Sequence, residues 1–163
     1  SAYIIALKDR LEKIDHNMGW TGQTYVKSIL SSKCTGMTLT DTTRKTYPFQ
    51  VSINFNRPLD CGQGAFYEFQ TIVEDPTFSM IPYLTKVIKC QTEKMTIKVT
   101  APTDMLKNMR ACIYADGMRE IKLSNPLPIP PKHVGDYDLF EWPIENLELL
   151  RYYSLEWDFV EVP

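Results

Sequence analysis

The sequence predicts a mainly β protein, an antiparallel β-sandwich of roughly seven or eight strands led by an N-terminal helical hairpin. Three observations predict it. Beyond Cys34, apolar residues recur at every second position in several short runs, the period of a half-buried strand. Glycine and proline punctuate these runs, with no helix-period segment between them. Before Cys34 the apolar residues step by three and four instead, as a helix face requires. Residues 1–33 are thus expected to form the hairpin, packed on or beside a sandwich domain spanning 34–163.

The elements follow in order. Ile4, Leu7, Leu11, Ile14 and Met18 define one face of an amphipathic helix over 3–18, with Lys8, Asp9, Arg10, Glu12 and Lys13 opposite. Gly19 is placed to end it, and Thr21 to cap a second helix in which Tyr25, Val26, Ile29 and Leu30 share a face. Phe49, Val51, Ile53 and Phe55 alternate strictly with Gln50, Ser52 and Asn54, a strand. A loop containing Cys61-Gly62-Gln63-Gly64 leads to a second β-rich run from Ala65 to Val73. Met95, Ile97 and Val99 alternate with Thr96, Lys98 and Thr100. Asn108–Tyr114 and Met118–Leu123 flank Ala115-Asp116-Gly117, a hairpin signal because Asp and Gly both accept positive φ. Pro126, Pro128, Pro130 and Pro131 exclude a central strand, since proline has no amide donor. Tyr153, Leu155, Trp157 and Phe159 form the last alternating run.

Charge is unevenly distributed along a chain whose net charge is only −2. The basic residues of 85–122 are Lys86, Lys89, Lys94, Lys98, Lys107, Arg110, Arg119 and Lys122, against four acids, whereas 135–163 carries eight acids against Arg151 alone. Such asymmetry bears on partners rather than on fold, and it predicts two surfaces of opposite sign. The apolar fraction of 44% lies outside the disordered range. No apolar run is long enough to span a bilayer, and the opening residues turn charged at Lys8 without a signal-type apolar stretch. Cys34, Cys61, Cys90 and Cys112 are scattered without a CxxC pair, as befits reduced thiols. With no Asn-x-Ser/Thr sequon either, the expected setting is intracellular, in the cytoplasm or nucleus.

Catalytic signatures are absent. Gly62 and Gly64 lack the lysine and the helix of a phosphate loop, and no G-x-S-x-G or H-E-x-x-H occurs. A zinc site would have to gather distant cysteines with His16 or His133. Asp15-His16 falls at the end of a polar helix face, in a capping or solvated role. Asp136 with Asp138, and Glu156 with Asp158, are expected on solvated strand faces, where charge discourages edge-to-edge pairing. Neither an enzymatic role nor a cofactor is expected.

Several segments resemble the DNA-binding core of the DNA-damage-responsive tumour-suppressor transcription factors. They are Tyr47-Pro48-Phe49-Gln50-Val51, Ile81-Pro82-Tyr83-Leu84-Thr85-Lys86, Thr96-Ile97-Lys98-Val99, Ala101-Pro102-Thr103 and Met109-Arg110-Ala111-Cys112-Ile113-Tyr114. The resemblance covers 47–114 and implies an immunoglobulin-like sandwich. The zinc ligands that family carries after its Ile-Tyr strand, and its arginine-bearing C-terminal strand and helix, have no counterparts here. Zinc and sequence-specific DNA contacts are therefore not implied for any residue.

The function expected is that of a non-enzymatic protein-interaction module within a larger assembly or multidomain protein. Its candidate partner-binding residues are Ile4, Leu7, Leu11 and Ile14 on the helix face, with Trp142 beside Pro143 as an aromatic anchor. One alternative is a nucleic-acid-binding sandwich in which Lys94, Lys98, Arg110 and Lys122 neutralise phosphates. Another is a carrier of a lipid or other apolar ligand, with Ile53, Phe55, Ile97 and Val99 lining a cavity.

Overall fold

The structure, a computed structural model, describes residues 1–7, 9–18, 24–42, 49–75, 80–89 and 91–160. The described residues form antiparallel sheets and no helix. None of them belongs to a helix long and apolar enough to cross a membrane. The chain divides into two compact units, Ser1–Ile81 and Pro82–Pro163.

The first unit contains β1 (Ala2–Ile5), β2 (Leu11–Met18), β3 (Thr24–Leu30), β4 (Met37–Thr42), β5 (Phe49–Leu59), β6 (Gly64–Tyr67) and β7 (Phe69–Glu74). The expected helical hairpin is replaced by three strands, and there are two physical reasons. Ala2, Ile4 and Ala6 are buried while Tyr3 and Leu7 are exposed, an alternation of period two hidden within the three- and four-residue spacing. Arg10 then takes a left-handed φ of 61°, which no helix interior tolerates. Strand partners distant in sequence complete the change: Ile4 lies opposite Ala65 of β6, and Ile14 opposite Ile53 of β5. The expected turn and cap at Gly19 and Thr21 lie outside the described residues.

β5 is the middle strand between β2 and β4, and its Val51, Ile53 and Phe55 are buried as the alternation predicts. His16 is buried rather than solvated, because Tyr67 and Phe69 hold its ring at 5.3 and 5.0 Å. Its neighbour Asp15 accepts a 2.6 Å hydrogen bond from Ser52 Oγ. The run from Ala65 to Val73 divides at Glu68 into β6 and β7, and β7 pairs with β3. The Cys61–Gly64 loop tightens through Gly62, whose φ of 83° suits glycine, and whose amide donates to Ala6 O at 2.9 Å.

The second unit contains β8 (Tyr83–Val87), β9 (Thr92–Pro102), β10 (Leu106–Tyr114), β11 (Leu127–Pro128), β12 (Lys132–Val134), β13 (Tyr137–Glu145) and β14 (Tyr152–Phe159). β13 lies between β12 and β9, while a separate sheet runs β11-β10-β14-β8. Pro128 sits in the end strand of that order, where its missing amide breaks no interior ladder. Asp138, Phe140, Trp142 and Ile144 are buried at every second position of β13. Trp142 meets Tyr153 of β14 with ring centroids 5.9 Å apart, which joins the two sheets. Leu155 is fully buried, with Ala111 and Leu84 as its ladder partners.

Leu155→Ala is expected to destabilise the protein by about 2–5 kcal/mol through the cavity it leaves. Urea denaturation followed by tryptophan fluorescence checks this, and a loss below about 1 kcal/mol would contradict a closed core around β14.

Candidate functional site

β14 is buried without interruption from Tyr153 to Trp157. Alternate residues of a strand point to opposite faces, so both faces of this strand are covered. Tyr153 lies on the face that meets Trp142. The other face carries Ser154 and Glu156, and the register places Cys112 and Thr85 beside Ser154, and Arg110 and Tyr83 beside Glu156. Thr85 Oγ1 donates to Ser154 Oγ at 2.9 Å, one rung of a polar row across three strands.

The segment after β10 closes over this polar face. Its first residues turn back through an Asp116 cap: the carboxylate accepts the amides of Glu120 at 3.3 Å and Ile121 at 3.0 Å. Desolvation alone would raise the Asp116 pKa, but the backbone N–H groups of Ile121, Glu120, Met118 and Arg119 outweigh it and hold the carboxyl below its ordinary range. Gly117 rests on Tyr152, and an added Cβ would come within 3.1 Å of that ring. The guanidinium of Arg119 stacks 3.5 Å from the centroid of Tyr83, and the Lys122 ammonium lies 5.4 Å from that of Tyr114. The chain then returns along β10, with Leu123 N donating to Ile113 O at 2.8 Å and Ile129 N to Met109 O at 2.9 Å. The expected hairpin is not what forms: Met118–Leu123 is no strand and makes a single bridge, Tyr114 to Lys122. The reason is that the Asp116 carboxylate draws the amides of Glu120 and Ile121 into a wider turn whose positive φ falls on Arg119, and Ser124 Oγ substitutes for a backbone acceptor of Ile113 N.

Glu156 is the centre of the cluster. It is only 9% exposed, and a buried carboxylate requires partners. Tyr114 Oη donates to Oε1 at 2.5 Å, Arg119 Nη1 lies 3.4 Å from the same oxygen, and Arg110 Nε lies 3.5 Å from Oε2. A one-residue bulge in β10 sets this arrangement: Lys107 opposes Asp158, but Arg110, not Met109, opposes Glu156. Asn108 occupies the bulge at a φ of 52° and donates to Asp158 Oδ2 at 2.9 Å. Burial raises the Tyr114 pKa far above the ordinary tyrosine range, and the hydrogen bond to Glu156 and its negative charge add to the rise. The arrangement holds planar cations between an aromatic face and a carboxylate.

The sequence-derived candidates are placed as follows. Ile4 is fully buried on β1, Leu7 is exposed beyond it, and Leu11 and Ile14 are half-buried on β2, so no helical face unites them. Trp142 is buried against Tyr153 rather than presented to a partner. Lys94 and Lys98 lie on β9 and pair with Glu145 and Glu141 of β13, each at 3.0 Å. Arg110 lies on the other sheet, between Glu156 and Asp158, and Lys122 lies over Tyr114. Ile53 and Phe55 belong to β5, Ile97 and Val99 to β9.

Two carboxylates expected on solvated faces are buried. Glu156 has its cluster, and Asp138 accepts from His133 Nδ1 at 2.5 Å and from Asp104 N at 3.1 Å. Alternation alone hid Glu156, because a polar residue between Leu155 and Trp157 normally marks a solvated face. The signal that points to it is the pair Arg110 and Arg119 flanking an Asp-Gly turn. Among the described residues, no three His, Cys, Asp or Glu side chains gather as metal ligands, and Cys34, Cys61 and Cys112 are free thiols.

Fold and cluster together define a mainly β protein built around a buried, cation-paired carboxylate. In comparisons with known proteins, the chain matches no family model, no curated protein and no solved structure.

Two outcomes are expected of this cluster. Glu156→Ala leaves the buried Tyr114 hydroxyl without its acceptor and should cost about 1–3 kcal/mol in denaturant unfolding. Because native Tyr114 resists ionisation, its contribution is intact below the unfolded tyrosine pKa near about 10 and is lost as pH rises above it. Stability followed from pH 8 upward should decline less steeply in Tyr114→Phe than in the unmodified protein; equal slopes would refute the linkage.

Proposed function

We propose that the protein is a non-enzymatic protein-interaction module that docks a partner along the segment following β10. The observation that carries this reading is the exposure of Met118 (82%), Ile121 (59%), Leu123 (48%) and Leu127 (54%) within ten residues at one end of the β11-β10-β14-β8 sheet. Large apolar side chains exposed singly need no explanation, whereas a contiguous row marks an interaction surface. Ile121 and Leu123 flank Lys122, whose single bridge to Tyr114 holds this segment beside β10, and Leu127 follows in β11.

The architecture we attach to this reading is an immunoglobulin-like sandwich. The contact of Trp142 with Tyr153 across two sheets supports it, as does the resemblance over 47–114 to the transcription-factor core. Free thiols at Cys34, Cys61 and Cys112 fit an intracellular setting. The nucleic-acid alternative gains less: three of its four cations are already paired with carboxylates and are divided between two sheets. The carrier alternative gains no supporting observation.

A double substitution, Ile121→Ser with Leu127→Ser, tests the reading. Both side chains are half exposed or more, so unfolding free energy should change by no more than about 0.5 kcal/mol at each site. Capture of a protein partner from native extract, in the presence of nuclease and at high salt, should fall at least tenfold. Undiminished capture by the double variant would sink the reading.

A further inference from the structure

We infer that the recess formed by the Tyr83 ring and the Glu156 carboxylate is a guanidinium-binding subsite, occupied in cis by Arg119 and open to an arginine side chain of a protein partner. The inference rests on the interaction-module reading above, for which it names the chemistry of the partner.

Three observations carry it. The recess has the two features that recognise a guanidinium: a flat aromatic face 3.5 Å from the cation and a carboxylate that is only 9% exposed. Secondly, the resident cation does not saturate it. Charge-assisted N–H···O bonds lie near 2.7–2.9 Å and arginine commonly makes two in parallel, whereas Arg119 Nη1 approaches Oε1 only to 3.4 Å. Oε2 has, among the described residues, Arg110 Nε alone, at 3.5 Å. An incoming guanidinium can therefore form the paired bonds that Arg119 does not. Thirdly, the recess is reached from solvent. The Arg119 side chain that occupies it keeps 25% of its surface exposed, and the neighbours Gly117, Met118 and Glu120 in the same turn are exposed.

The geometry also links the subsite to the apolar row. Met118 and Ile121 flank Arg119 closely in the same turn, so a partner lying on that row brings its own side chains to the edge of the recess. Displacement of Arg119 by a partner's arginine exchanges one cation for another, and Glu156 is never left buried without charge compensation.

The test is an NMR titration of the whole chain bearing Arg119→Ala with methylguanidinium, followed at the backbone amides. The expected result is a saturable shift at Tyr83, Tyr114 and Glu156 with millimolar affinity, at least tenfold weaker in the unmodified protein and absent from Arg119→Ala/Glu156→Gln. A linear response, or equal shifts in the double variant, would overturn the subsite. Should Arg119→Ala not fold, Arg119→Gln keeps part of the stem over Tyr83 and undergoes the same titration with the same criteria. A blocked Gly-Arg-Gly peptide distinguishes a partner's arginine from a free guanidino compound. Binding at least as tight as that of methylguanidinium supports the partner, and failure of the peptide alone overturns that assignment. The titration does not involve Ile121 or Leu127, so its failure and the failure of the apolar-row reading are separate results.

Discussion

Burial of β14 on both faces is the constraint to which the rest of the second unit answers. One face meets Trp142 of the neighbouring sheet through Tyr153, and apolar burial of this kind supplies the main stabilisation, about 1.5–3 kcal/mol for each large side chain. The opposite face carries Glu156, and a carboxylate removed from water is tolerated only with compensation. Each neighbouring irregularity serves that end. The bulge at Asn108 brings Arg110 opposite Glu156, Tyr114 supplies a hydroxyl, and the Asp116-capped turn delivers Arg119. A polar centre and a folded-over turn thus depend on each other.

The same logic explains the uneven charge of the chain. The basic and acidic segments do not form two surfaces of opposite sign. They interleave, because basic β9 pairs with acidic β13 and basic β10 with acidic β14. Lys98 opposes Glu141 and Lys94 opposes Glu145 directly in the ladder. Exposed pairs of this sort are worth about 0.2–1 kcal/mol each, too little to hold the sheets together. Their effect is on register, since a slip of one residue would bring every outward charge to the inner face.

Placing cations and anions side by side also changes which surface is available for recognition. A neutralised charged face offers little to a polyanion, whose binding depends on unpaired lysine and arginine. The remaining distinctive feature is apolar, on the segment from Met118 to Leu127. At β11, the end strand of its sheet, Pro126 and Pro128 lack the amides with which another strand would continue the ladder. One turn therefore covers Glu156 on one side and presents Met118 and Ile121 to solvent on the other.

By itself the sequence determined the strand character of residues beyond Cys34, since the alternation around Ile53, Ile97 and Leu155 requires one buried face whatever the partner. It also marked a chain reversal at Asp116-Gly117, although the turn is made by the Asp116 carboxylate capping Glu120 and Ile121, with the left-handed φ on Arg119. Tertiary structure decided the rest. Residues 3–18 satisfy a helical spacing and an extended one alike, and the strands that select the second, β5 and β6, lie dozens of residues away. His16, Asp138 and Glu156 read as solvated because alternation identifies only two faces. Whether the polar face meets water depends on what folds over it, and that cover comes from Tyr67 and Phe69, from His133, and from the Arg119 turn. Local pattern constrains the backbone, whereas burial of a charge is a property of contacts that only the closed chain makes.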